Sequence, residues 1–258
     1  TIHVDSKKQE LEIVLRDGVE LKEVNVVSRK LGTMKLRNSV MNEDMISSAE
    51  LSRAACCNLG ESFVTNPSVD VSYSDAATGA KQIKLLGLSG TYVQMLTENI
   101  PNYRGAAAPY GLGYVPGPWM QSIQVSKGIS SVKNGYEAIT GQINVEFKKP
   151  QLPEADWVSA NLFASTTNRY EANADATLKL SKRWSTSLLA HYENETKAHD
   201  GNDDGFVDIP QVEQYNVWNR WAYMGDHYVF QAGFKALSET RSSGQSTHGG
   251  MYSGELYK

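Results

Sequence analysis

The densest chemistry in the sequence lies in the run Asp200-Gly201-Asn202-Asp203-Asp204-Gly205-Phe206-Val207-Asp208. Oxygen side chains stand at the first, third, fifth and ninth places, a glycine stands at the sixth, and Phe206 at the seventh offers its backbone carbonyl. That is the opening of a calcium-binding loop. The twelfth place holds Gln211 instead of the bidentate glutamate of an EF-hand, and Glu213 is the carboxylate that can replace it. Asp200, Asn202, Asp204, Phe206, Asp208 and Glu213 are therefore the candidate ligands of a Ca2+ ion. No lysine or arginine falls between Ala198 and Trp218, so these carboxylates repel one another unless a cation or water separates them. A solvated acidic loop accounts for the same residues without a metal.

Other reactive residues are sparse. Cys56 and Cys57 are the two cysteines, and as neighbours they provide no disulfide framework. Adjacent thiols could take a soft metal, with Met34, Met41, Met45, Met95 and Met120 as further sulfur donors. Alternatively they are small buried hydrophobes on a helix face with Leu51, Ala54, Ala55, Leu59 and Phe63. The five histidines are scattered, with no pair at zinc or haem spacing. No nucleophile, base and orienting group can be assembled from the spacing, so the chain is not read as an enzyme. A net charge of −4 without a basic stripe argues against nucleic acid as a partner.

The elements that would hold the acidic loop are strands. No stretch approaches the ~18 to 20 apolar residues of a membrane helix, but after Pro150 the hydrophobic period becomes two. Tyr170, Ala172, Ala174, Ala176, Leu178 and Leu180 alternate with Glu171, Asn173, Asp175, Thr177 and Lys179. Trp184, Thr186, Leu188, Ala190 and Tyr192 continue the pattern, with Leu189 as the exception among the polar positions. Residues 228–239 repeat it, and 157–167, 215–225 and 250–258 are weaker versions. Such segments are long enough to cross a bilayer as tilted strands, and aromatics sit near their ends, where interfacial girdles belong. Tight connections at Ser181-Lys182 and Gly225-Asp226 alternate with long polar ones at 196–213 and about 241–249, the outer-membrane arrangement of short periplasmic turns and long outer loops. About six strands are too few to close a membrane barrel, which needs about eight. The sequence is therefore expected to be a piece, or to be completed by a second chain.

Before Pro150 the chain reads as a compact α+β domain with Gly- and Pro-rich loops. Five stretches stand there in order: Asn58-Leu59-Gly60-Glu61-Ser62-Phe63 leading to Asn66-Pro67-Ser68-Val69-Asp70-Val71; Gln82 to Leu88; Leu96-Thr97-Glu98-Asn99-Ile100-Pro101; Ile123-x-Val125-x-Lys127-Gly128; and Gly141-Gln142-Ile143-Asn144-Val145 before Lys148-Lys149-Pro150. Together they resemble the plug domain of TonB-dependent outer-membrane receptors, and the strands that follow are similar to the beginning of their barrel. Glu98-Asn99-Ile100-Pro101 stands where the family carries an Asp-Gly-Ile-Pro-like turn. The double cysteine followed by Asn66-Pro67-Ser68-Val69-Asp70-Val71 resembles a Bacteroidetes-like branch.

The resemblance implies an α+β plug domain at 40–150, preceded by a segment at 1–39 and followed at 151–258 by antiparallel transmembrane β-barrel strands, the barrel incomplete. It implies a bacterial outer-membrane location and import of a scarce cargo, a metal chelate such as siderophore-iron, haem or cobalamin, or a metal ion. It also implies the TonB energy-coupling complex and membrane lipid as partners, with a surface lipoprotein or a second chain as further ones. Tyr92, Tyr103, Arg104 and Tyr110, on the outward loops of the plug, are the candidate cargo contacts, or equally anchors of the plug to the wall. Val24, Val26 and Val27, in an extended segment suited to adding to a partner's sheet edge, are the candidate coupling residues. A soluble calcium-stapled binding module and a passive surface protein are the alternative readings.

Overall fold

The computed structural model describes residues 34–35, 42–54, 57–64, 66–75, 78–88, 90–130, 134–150, 157–203 and 205–245. Val24, Val26, Val27, Cys56, Asp204 and the strand expected at 250–258 lie outside the described residues.

The first part is a small α+β domain. Its elements in chain order are β1 (Met34–Lys35), β2 (Asn42–Ser47), α1 (Ser48–Arg53), β3 (Val69–Asp75), β4 (Ala80–Leu85), β5 (Val93–Thr97), β6 (Ile100–Pro101), α2 (Ala108–Gly111), β7 (Met120–Lys127) and β8 (Gly141–Phe147). One six-stranded sheet runs β1-β2-β7-β8-β5-β6, while β3 and β4 form a separate hairpin. The β5–β8 pair is parallel and the other pairs of this sheet are antiparallel. A parallel neighbour needs a crossover connection, and the chain from 98 to 140 supplies it, carrying the loops of the candidate site. Alternation is lost in β8, where Gly141–Val145 are all buried, because this central strand is covered on both faces. Ile46, Leu59, Phe63, Leu85, Trp119, Ile123, Ile143 and Phe147 form the core.

The second part is a five-stranded antiparallel meander of β9 (Val158–Ala164), β10 (Arg169–Lys179), β11 (Trp184–Glu195), β12 (Gln211–Met224) and β13 (Val229–Ser242). Fold class and strand positions follow the sequence period. The register pairs Ala172 with Tyr192, Tyr192 with Tyr215 and Trp221 with Ala232, so the apolar sets of neighbouring strands share one face. That face is exposed, with Leu162, Leu178, Leu188, Trp221 and Phe234 on it. The opposite face carries Glu171, Asn173, His191, Glu193, Gln214, Asn216 and Arg220, all buried. Its polar groups are buried because the α+β domain packs against it.

Leu189, the exception to alternation, now has a reason. It points to the inner face, is 1% exposed and belongs to the core of the α+β domain. Its cross-strand neighbour Trp218 packs on the same core, meeting Phe147 edge-on at 5.7 Å between ring centroids, and Phe147 meets Trp119 at 5.9 Å. A Cβ on Gly233 would lie 2.7 Å from the Trp218 ring, so the glycine in β13 is what lets the indole reach inward. No helix among the described residues is long and apolar enough to cross a membrane.

Candidate functional site

The outward loops of the α+β domain enclose a cleft of about 470 Å³ whose lining includes Lys81, Met95, Tyr103, Arg104, Tyr136 and Glu137. Arg104 donates through Nε to both carboxylate oxygens of Glu137 at 2.8 Å and sits 5.7 Å from the centre of the Tyr136 ring. Its hydrogen bonds and charge contact with Glu137 raise its already high pKa. Lys81 is displaced the other way, since burial penalises its ammonium form. The cleft thus presents two cations, one carboxylate and two phenols around an apolar floor, a combination that can hold an amphipathic ligand of mixed charge.

The four candidate contacts are not equivalent. Tyr103 and Arg104 line the cleft. Tyr103 has a left-handed φ of 54° and also reaches the wall: Lys235 donates to its hydroxyl and lies 5.2 Å from its ring centre. Burial raises the pKa of its phenol. Tyr92 ends the turn beside the cleft, and its carbonyl accepts hydrogen bonds from the backbone of Ile139 and Thr140 and from the Thr140 hydroxyl. Tyr110 faces a smaller cavity of about 80 Å³ toward the wall, with the Arg241 guanidinium 5.3 Å from its ring centre. Arg241 also donates to the carbonyl of Thr78 at 2.8 Å. Tyr136 and Glu137, distant in sequence from Arg104, carried no signal that could have singled them out.

The seam between domain and wall holds a second cluster. Arg169 of β10 contacts Glu61 at 3.1 Å, Glu171 at 2.7 Å and Glu193 at 3.0 Å. Nearby, Cys57 is 7% exposed, and its thiol is pushed far up in pKa, first by burial and then by the charges of Glu171 and Glu61. Lower on the seam Lys148 pairs with Asp175 at 2.7 Å, and Arg220, buried, pairs with Glu98. The signal for this cluster was present in the sequence, since charged residues at the inward parity of β10 and β11 must meet something polar.

The acidic loop closes on itself. Asp200 Oδ2 accepts from the Gly205 amide at 2.9 Å, and Asp208 Oδ2 accepts from the Gly201 amide at 2.7 Å. Asp203 and Gly205 both have positive φ, 56° and 83°, the sharp turn that the glycine permits. The backbones of His199 and Ile209 pair at its base, and Val207 donates to the carbonyl of Gly244 beyond β13. Glu213 lies on β12, where its carboxylate accepts from the Tyr215 hydroxyl at 2.9 Å. Among the described residues, no three metal-binding side chains gather at one point.

An α+β domain packed on the polar inner face of strands whose outer face is apolar has the architecture of a plugged outer-membrane barrel. Residues 35–142 match the TonB-dependent receptor plug domain. The pyoverdine outer membrane receptor FpvA of Pseudomonas aeruginosa PAO1 superposes with a TM-score of 0.62 at 16% identity, over 80% of this chain and 29% of that one. The siderophore receptor PiuA of Acinetobacter baumannii gives 0.60 at 15%, over 76% and 26%. The copper transporter OprC gives 0.60 at 17%, over 78% and 31%. The chain thus spans about a quarter to a third of the length of these structures. No curated protein matched the chain.

Proposed function

We propose that this chain supplies the plug and the first wall strands of an importer that takes a scarce metal-containing nutrient across the outer membrane, with TonB supplying the work. The observation that carries this reading is the plug seated on the inner wall beneath a cleft of mixed charge. The protein does no covalent chemistry: it binds cargo and releases it inward when the plug is pulled. The cargo class is a siderophore-iron, haem or cobalamin chelate, or a metal ion, and the siderophore and copper specificities of the structural neighbours support that class. Tyr103 and Arg104 are the proposed first contacts, with Tyr92 and Tyr110 beside them, and Val24, Val26 and Val27 the proposed TonB-coupling residues. A surface lipoprotein or a second chain bearing further strands is the proposed additional partner.

The direct experiment is mass spectrometry of what copurifies with the full-length protein, followed by uptake of that compound in cells carrying a deletion of residues 21–28. Uptake that persists unchanged without the segment sinks the coupling assignment. Recovery of no metal-containing compound under metal limitation sinks the cargo class.

Calcium in the 200–213 loop belongs to the same proposal, supported by the ligand spacing and by the Asp200–Gly205 turn. Extracellular loops of this kind bind at about 10⁻⁴ to 10⁻³ M. Calorimetric titration of the intact protein with Ca2+ is expected to show such a site, and Asp200→Asn to weaken it at least tenfold. A flat titration removes calcium from the proposal.

A further inference from the structure

The lipid-facing side of the wall is not uniform. Near the short turns it dips at Ala232, where Leu180, Ser181, Trp184, Trp221 and Phe230 flank a shallow, largely open groove of about 560 Å³. The dip follows from the register: Ala232 pairs with Trp221, so a methyl group stands opposite an indole, and Trp184 pairs with Tyr223, which pairs with Phe230. Trp184 and Tyr223 meet edge-on at 5.0 Å, and Tyr223 stacks on Tyr228 at 5.4 Å. These amphipathic rings mark the depth of the headgroups.

The groove opens at that depth onto a basic turn. Ser181 Oγ accepts from the amides of Arg183 at 3.2 Å and Trp184 at 3.0 Å, which fixes the turn and sets Lys182 and Arg183 at the rim. Arg183 shares its charge with Asp226 at 2.7 Å and remains half exposed, while Lys182 is exposed. By loop length this end is periplasmic: Leu180–Arg183 and Gly225–Tyr228 are tight, whereas 196–210 at the other end is long. The leaflet on this side is phospholipid.

We propose that this groove and turn form a binding site for an anionic phospholipid of the inner leaflet, one acyl chain lying against Ala232 between Trp184, Trp221 and Phe230 and the phosphate held at Lys182 and Arg183. The apolar lining takes the chain and the net positive rim selects the headgroup. The site is independent of cargo and of TonB, and it fixes the height of the wall in the membrane.

The test uses the intact protein in a neutral detergent, titrated in native mass spectrometry with phosphatidylglycerol and with phosphatidylethanolamine bearing the same acyl chains. Phosphatidylglycerol is expected to be retained severalfold more, as about one or two basic contacts allow. Lys182→Glu is expected to erase that preference. Ala232→Trp, which fills the groove from the lipid side, is expected to lower retention of both lipids. Heat-modifiable migration on gels checks that each variant barrel is folded, and the wild-type comparison stands without either variant. Equal retention of the two lipids by the wild type, an undiminished preference in folded Lys182→Glu, or undiminished retention in folded Ala232→Trp overturns the proposal.

Discussion

Arg220 and Glu98 show what single residues carry in this protein. Glu98 and Asn99 both have positive φ, 53° and 64°. Such a backbone is held by its surroundings: the Glu98 amide donates to Val145 at 2.9 Å, the Asn99 amide donates to Asn144 at 2.8 Å, and Arg220 grips the Glu98 carboxylate. With the Arg220 side chain 2% exposed, Glu98→Ala would strand a buried cation. The expected loss is about 3–5 kcal/mol of plug stability by denaturant titration, largely restored by adding Arg220→Met. Cys57 and Tyr103 set an alkaline limit. Both hold their protons more tightly folded than unfolded, so their contribution is complete below the ordinary values of 9.0 and 10.0 and declines as pH rises beyond them. The unfolding midpoint should therefore fall progressively above pH 9.0, and less steeply in Cys57→Ala.

Among the elements, the wall strands were the most legible. A period of two is a direct record of which face each side chain occupies, and β10 to β13 followed it closely. The departures were equally meaningful. Leu189 and Trp218 interrupt the polar face where it meets the plug core, so Leu189→Ala is expected to cost about 2–5 kcal/mol and loosen the plug to protease, whereas Leu188→Ala, facing lipid, leaves plug protection unchanged. Gly233→Ala should have a similar loosening effect by pushing the Trp218 ring off Phe147. What the sequence did not disclose was non-local. The parallel β5–β8 pairing, the separate β3–β4 hairpin and the meeting of Arg104 with Tyr136 and Glu137 depend on chain crossings that leave no periodic trace. The acidic loop was legible as a motif and as a turn.

At the scale of the molecule, plug and wall form a single packed body whose seam carries ion pairs from Arg169 at its outer end to Arg220 lower down, with the Trp218–Phe147 contact between them. The described sheet has two open edges, at β9 and β13, each a row of unpaired amides and carbonyls. A product confined to residues 31–245 is accordingly expected to associate in detergent, as seen by light scattering, while the intact protein stays monodisperse. The strict two-sidedness of the wall has one more consequence, for how such a sequence can change. Deleting a single residue from β11 would turn His191 and Glu193 outward to lipid and bring Leu188 and Tyr192 against Arg169 and Asn216 on one side of the cut. Insertions and deletions within these strands can therefore persist only in steps of two, while a change of length in the loop between β11 and β12 leaves the facing of every strand residue unaltered.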